Sequence, residues 1–219
     1  MSLTLASTVK LNNGLDLPLL ALGVYESPTS VEKSRYALQL DYIDLYLVHS
    51  PLAGASGRHE AWLALQDAVK EGKVKSIGVS NFSPAHIEQL LKSEGVYIQP
   101  AVNQIEMHPW NQQKEIVAYC KKEGIVVQAH TPLTQGKKLG DPMICGIAKK
   151  HGKTAAQVVL RWLLQQDVVA IPKSENPGRI KENADIHDFT LDQKDLDLIA
   201  TLDQGQNGSV TIWNPWTIE

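Results

Sequence analysis

Long hydrophobic runs are missing from this chain. Apolar stretches such as residues 45–48 and 124–127 fall far short of the roughly 20 residues that cross a bilayer. The first residues lack the charged-then-apolar pattern of a secretory leader, so a cytoplasmic protein with no membrane partner is expected. Cysteine is scarce: Cys120 and Cys145 form no CxxC and have no histidine at ligand spacing, which excludes a disulfide framework and a zinc site. Both thiols are expected as small buried hydrophobes, and no metal site is expected. Charge of one sign is lacking too. Lys and Arg number 21 against 24 Asp and Glu, for a net charge of -3, with no basic stripe to gather nucleic-acid phosphates. Neither GxxxxGK[ST] nor GxGxxG occurs, so phosphate-loop and Rossmann-type nucleotide sites are excluded. No Pro-, Ser- and Gly-rich linker divides the 219 residues, and residues 1–219 are expected to form one domain.

What is present is an alternation. Runs rich in branched aliphatic residues at 17–25, 42–49, 75–80, 101–107, 125–129 and 168–171 read as buried parallel strands. Between them, 31–40, 59–70, 85–92, 113–121, 142–150 and 154–165 have helical spacing. Ser83-Pro84 and Asp141-Pro142 supply an N-cap with proline in the first turn, while Gly72, Gly95, Gly124 and Gly152 stand where helices end. Thr190-x-x-Gln193 has the form of a capping box for a last helix. Beyond it, residues 205–219 carry Trp213 and Trp216, which suits a docked tail or a substrate loop. Repeated strand-then-helix units mean βαβ crossovers and a parallel sheet with helices outside. Polar residues gather at the C-terminal ends of the strands: His49 and Ser50, Ser80 and Asn81, Gln104 and Glu106, His130 and Thr131, Lys173 and Ser174. In a barrel, that is the end where a site is built.

Residues 44–51 (DLYLVHSP), 72–82 (GKVKSIGVSNF), 102–109 (VNQIEMHP) and 171–174 (IPKS) follow one another as in the aldo-keto reductases. With residues 14–25 the resemblance covers nearly the whole chain. It implies a (β/α)8 TIM barrel that binds NADP(H) and reduces small aldehydes and ketones to alcohols. Hydride passes from the nicotinamide to the carbonyl carbon while a tyrosine, acidified by lysine and aspartate, protonates the oxygen. By motif position, His49 matches the family's catalytic histidine, which orients and polarises the carbonyl. Ser80, Asn81 and Gln104 match the residues that hold the nicotinamide carboxamide, a task suited to neutral donors and acceptors. His130, Thr131 and Leu133 match further cofactor positions, and Tyr25 and Ser50 match substrate positions. Lys173, Ser174 and Arg179 match the set around the adenosine 2′-phosphate, where two cations and a hydroxyl favour NADP over NAD. Glu182 and Asn183 match the adenine contacts.

The sequence departs from the family pattern in two places. The catalytic aspartate and tyrosine (DxxxxY) and the catalytic lysine have no counterpart, because residues 23–30 run directly into a segment resembling the helix before the His49 strand. Two βα units near the N-terminus are therefore expected to be absent, with the junction near 26–31, leaving a chain of weak or no activity. Two other readings stay open, a non-catalytic NADP-binding or regulatory protein and an unstable truncated fragment. The second departure is His130, which stands where the family commonly places a larger aromatic ring under the nicotinamide. His59, His86, His151 and His187 are expected on polar helix faces or ends, and His108 in a structural turn. Nothing in the sequence sets an oligomeric state.

Overall fold

The computed structural model describes residue 4 and residues 6–21 and 31–217. Tyr25 and nearly all of the suspected junction lie outside the described residues. The chain opens with a hairpin, β1 (Thr8–Lys10) antiparallel to β2 (Asp16–Pro18). Gly14 turns it at a positive φ of 84°, a conformation that glycine adopts without steric cost.

Then follow α1 (Val31–Leu38), β3 (Ile43–Val48), α2 (Gly54–Lys70), β4 (Val74–Ser80), α3 (Pro84–Leu91), β5 (Val102–Glu106), α4 (Lys114–Lys122), β6 (Val126–His130), α5 (Pro142–His151), α6 (Ala155–Gln165), β7 (Val169–Ala170), α7 (Pro177–Ala184) and α8 (Gln193–Ala200). β3 to β7 form a parallel sheet in sequence order. Leu20 bridges Ala170 in parallel, so the segment after the hairpin continues the sheet beyond β7. The expected strand over 17–25 is thus two things. Residues 16–18 belong to the hairpin, and pairing with the sheet begins only at Leu19, whose carbonyl accepts from the Ala170 amide at 2.9 Å.

The helices start where the side chains can cap them. The Ser83 hydroxyl accepts the His86 amide, Pro84 fills the first turn, and Ile87 and Leu90 bury one face of α3. Asp141 accepts the amides of Met143 and Ile144 to start α5, and Gly152 ends it at φ 62°. Thr154 and Gln157 form a reciprocal box on α6, whose residues Val158 to Leu164 are all buried. The core between sheet and helices is built on Trp62, Ile77, Ile105, Ile116, Leu160 and Leu163, each fully or nearly fully buried. Replacing Ser83 by Ala removes one cap acceptor and is expected to lower stability by about 1 kcal/mol, read as a lower urea midpoint with an unchanged slope.

Two local expectations are corrected, and the helix-end position of His86 is made more specific. The last helix is capped by Asp192 with Asp195 as its reciprocal partner; Thr190 instead accepts from the Arg161 guanidinium at 3.0 Å. His86 is buried, its Nδ1 accepting the Ser83 amide. Cys145 is exposed, whereas Cys120 is buried in the core, where burial pushes its thiol up to about 11.

The β3 side of the sheet is the open one. Every residue of β4 except Lys75 is buried, but none of β3 is, and no strand pairs with its outer edge among the described residues. Beside it Tyr36, Leu38 and Leu40 of the α1 region are exposed. An apolar edge strand without bulge, proline or lysine is poorly protected against pairing with other chains.

Candidate active site

The parallel register brings the polar strand ends together. Gln104 lies opposite Gln128 and Glu106 opposite His130 on β5 and β6, while Ser80 at the end of β4 pairs with Gln104. The Ser80 hydroxyl donates to the Gln104 carbonyl at 2.9 Å and the Gln104 amide donates to Gln128 Oε1 at 2.6 Å. Asn81 is buried and sits at φ 61°, a left-handed turn that asparagine tolerates better than most residues. Its Nδ2 reaches the His49 carbonyl and the Ser80 hydroxyl, both at 3.1 Å, and its Oδ1 faces His130 Nε2 at 3.0 Å.

These partners set the His130 tautomer. Asn81 Oδ1 can only accept, so Nε2 carries the proton, and Nδ1 accepts from the Thr131 hydroxyl at 3.0 Å. Burial pushes the ring down to about 4; Glu106 opposes this, and His49 and His108 add to it. Thr131 holds φ 53°. For a β-branched residue that is strained by about 1–3 kcal/mol, the kind of strain found where geometry is over-determined by its surroundings. The next turn contains Leu133, which packs against the core.

The C-terminal segment closes over this end. Trp213 lies against His49 with ring centroids 5.0 Å apart and planes at 39°. Below them Glu106, 1% exposed, accepts from His108 Nε2 at 2.9 Å, the Ser209 hydroxyl at 2.7 Å, the Val210 amide at 2.6 Å, the Thr211 amide at 3.2 Å and the Thr211 hydroxyl. Burial alone would raise its pKa; the bonds from His108, Ser209, Thr211 and Val210 outweigh that and hold the carboxyl to about 2. Trp216 donates to Gln113 Oε1 at 3.2 Å, and the Gln204 amide donates to the Trp110 carbonyl at 3.0 Å. The loop between β5 and α4 is therefore the dock of the tail.

The third group of candidates lies around the start of α7. Lys173 pairs with Glu175, the Ser174 hydroxyl accepts the Asn176 amide at 3.2 Å, and Arg179 is exposed in the first turn of the helix, its amide capped by Asn176 Oδ1 at 3.0 Å. Glu182 accepts the Thr154 hydroxyl at 2.7 Å, and Asn183 is buried. The structure thus joins Ser80, Asn81, Gln104, His130 and Thr131 with His49 in one cluster. It sets Lys173, Ser174, Arg179, Glu182 and Asn183 in a second region after β7. Ser50 follows His49 directly, ahead of α2.

His108 stands in a turn, as expected, its amide donating to the Asn111 carbonyl at 3.2 Å; its bond to Glu106, and any role of Glu106 beyond that of a polar strand end, go beyond the local pattern. The available signal was an acid in an apolar strand with a histidine two residues on; its partners at 209–211 lie a hundred positions away. Trp110, 2% exposed and donating to Asp141 Oδ2 at 3.2 Å, was not singled out either.

Parallel strands covered by helices, with polar side chains converging at the strands' C-terminal ends, are the arrangement of the α/β barrel class, which builds its sites at that end. Residues 26–204 match the Aldo/keto reductase family, and the chain belongs to that family. It is 50% identical over 175 residues to glyoxal reductase of Bacillus subtilis, covering 80% of this chain and 62% of that protein. To methylglyoxal reductase DkgA of Escherichia coli it is 46% identical over 171 residues, covering 77% of this chain and 62% of that protein. The chain thus spans about 62% of the length of these curated relatives. The crystal structure of Gox0644 in its apo form superposes with a TM-score of 0.88 at 31% identity, covering 95% of this chain and 97% of that one. The fold is the (β/α)8 type of this family, present among the described residues as an open arc of β3 to β7 extended by Leu20.

Proposed function

We propose that the chain is an NADP(H)-binding oxidoreductase of the aldo-keto reductase lineage, cytoplasmic, acting on a small carbonyl compound and weak as a catalyst in this form. The observation that carries this reading is the convergence of Ser80, Asn81, Gln104 and His130 on the strand ends beside His49.

A nicotinamide carboxamide fits that network by exchange of like for like. Its NH2 group can replace His130 as the donor to Asn81 Oδ1, and its oxygen can replace Gln128 as the acceptor from Gln104 Nε2. NADPH, when bound, supplies the hydride. His49 would orient the carbonyl, with Trp213 as the wall of the pocket and Tyr25 and Ser50 at its margin. Thr131 and Leu133 would shape the turn beside the ring. Lys173, Ser174 and Arg179 would hold the 2′-phosphate, Arg179 in a bidentate way at the start of α7, while Glu182 and Asn183 would meet the adenine. The named reactions of relatives, reduction of glyoxal and of methylglyoxal, make small dicarbonyls the substrates to try first.

Titration with NADPH, followed through tryptophan fluorescence with NADH as control, tests this. Saturable binding that prefers NADPH is expected. Arg179→Ala should weaken NADPH about 10- to 100-fold, the loss of one charge-assisted contact, while leaving NADH nearly unchanged. Equal affinity for both cofactors, or no binding, overturns the assignment.

A further inference from the structure

We propose that Glu106 is a positioning residue for the carbonyl pocket: its buried carboxylate, through Thr211, sets Trp213 against His49. The inference rests on reading the His49 end as the substrate site, and it adds a residue to which that reading gives no role.

Glu106 sits at the C-terminal end of β5 with both oxygens engaged. His108, from its own loop, holds Oε1 from one side; Ser209, Val210 and Thr211 come from the tail. The decisive link is the Thr211 hydroxyl. It donates to Glu106 Oε2 and accepts the Trp213 amide at 3.4 Å, so the carboxylate fixes the direction of the hydroxyl and the hydroxyl holds the backbone of the tryptophan. Trp213 then reaches the His49 ring at 5.0 Å.

The segment also enters this latch at a fixed point. A Cβ built on Gly208 would lie 1.7 Å from the Trp110 carbonyl oxygen, so glycine lets the backbones of tail and loop come together directly before the residues that Glu106 holds. A carboxylate is the side chain suited to the task, because one planar group can accept hydroxyl and amide donors together when the donors converge. A glutamine in its place has one oxygen acceptor and turns its NH2 toward groups that must donate.

Heteronuclear NMR of the whole chain tests this, with Glu106→Gln, Thr211→Val and Trp213→Ala compared with the unsubstituted protein. Trp213→Ala defines the His49 ring-proton shift without the indole. In Glu106→Gln, the Val210 and Thr211 amides are expected to exchange at least about 10-fold faster, with β4 amides unchanged, and the His49 signals to move toward their position in Trp213→Ala. A latch that merely stabilised the fold would leave His49 where it was, and that result overturns the proposal. Should Glu106→Gln fail to fold, Thr211→Val decides, since it cuts only the hydroxyl link: His49 moves if the proposal holds and stays if it does not. The NADPH titration reports separately on the reductase reading. Loss of cofactor binding with the His49 response intact would remove that reading and leave the latch standing.

Discussion

Supplied with NADPH and a small aldehyde or dicarbonyl, this chain is expected to turn over about 100- to 10,000-fold more slowly than relatives with the full set of catalytic residues. That factor is the usual loss when a general acid is removed and corresponds to about 3–5 kcal/mol of transition-state stabilisation. The family chemistry needs a tyrosine whose proton is made available by a lysine and an aspartate. By motif position the resemblance assigns His49 to the catalytic set, while the DxxxxY pair and the lysine have no counterpart in the sequence. Tyr36, Tyr42 and Tyr46, the tyrosines on and before β3, do not fill the gap. Tyr36 is 88% exposed on α1. Tyr42 does have a lysine, Lys75, whose ammonium lies 3.4 Å from the ring centroid in a cation–π contact. That pair stands at the N-terminal ends of β3 and β4, the opposite end of the sheet from His49. Tyr46 lies within β3 and packs against the core. Loss of NADPH absorbance with glyoxal or methylglyoxal as substrate measures the rate, with a full-length relative run alongside. A rate within tenfold of the relative would mean that another group delivers the proton.

The parts of the fold that local pattern controls were legible in the sequence. Strands β4 to β6 match apolar runs because a strand covered by helices on one face and core on the other leaves few positions for polar residues; β3 matches one too, although none of its residues is buried. The starts of α3 and α5 follow from Ser83-Pro84 and Asp141-Pro142, where a short polar side chain reaches an amide two or three residues on. The hairpin at the N-terminus had a signal in Asn13-Gly14, the commonest tight-turn dipeptide; the apolar run after it masked the change of partner at Leu19. At α8 two overlapping boxes, Thr190-x-x-Gln193 and Asp192-x-x-Asp195, compete. Long-range contacts decide between them, since Thr190 is drawn to Arg161 and Asp195 to Lys150 at 2.8 Å and His151 at 2.7 Å.

The candidate site was legible only as far as position along strands. That His49, Ser80, Gln104 and His130 fall at strand ends follows from the alternation, and a parallel sheet then collects them on one side. That His130 is bonded to Asn81, and that Glu106 grips residues 209–211, depends on side-chain geometry between segments far apart in sequence. The same holds for His86, whose spacing from Ser83 suits a box but whose side chain is not the usual Glu or Gln.

Lowering the pH from 7 to 4 is expected to remove about 3 kcal/mol of stability through His130 alone. Its folded pKa of about 4 lies below the unfolded value near 6.5. In the interval between them the unfolded chain binds the proton and the folded chain does not. The contribution is therefore complete above about 6.5, falls as pH decreases, and is exhausted below about 4; a gap of about 2.5 units at 1.36 kcal/mol each gives the figure. His187, also lowered, chiefly by burial, acts in the same direction. Glu106 opens a second interval. Its carboxyl, held to about 2 in the fold, stabilises fully above the unfolded value near 4.5 and loses that contribution, again about 3 kcal/mol, as pH falls toward 2. A domain with a typical 5–15 kcal/mol of stability should survive the first loss weakened and lose its tail, held by Glu106, within the second. Urea midpoints measured at half-unit steps from pH 7.5 to 3 give the profile. His130→Phe should flatten the upper interval, leaving the smaller slope of His187, and keep the lower one. A midpoint constant between pH 7 and 5 in the unsubstituted protein, or an unaltered slope in His130→Phe, would show that the half-buried imidazole takes up its proton without opening the fold.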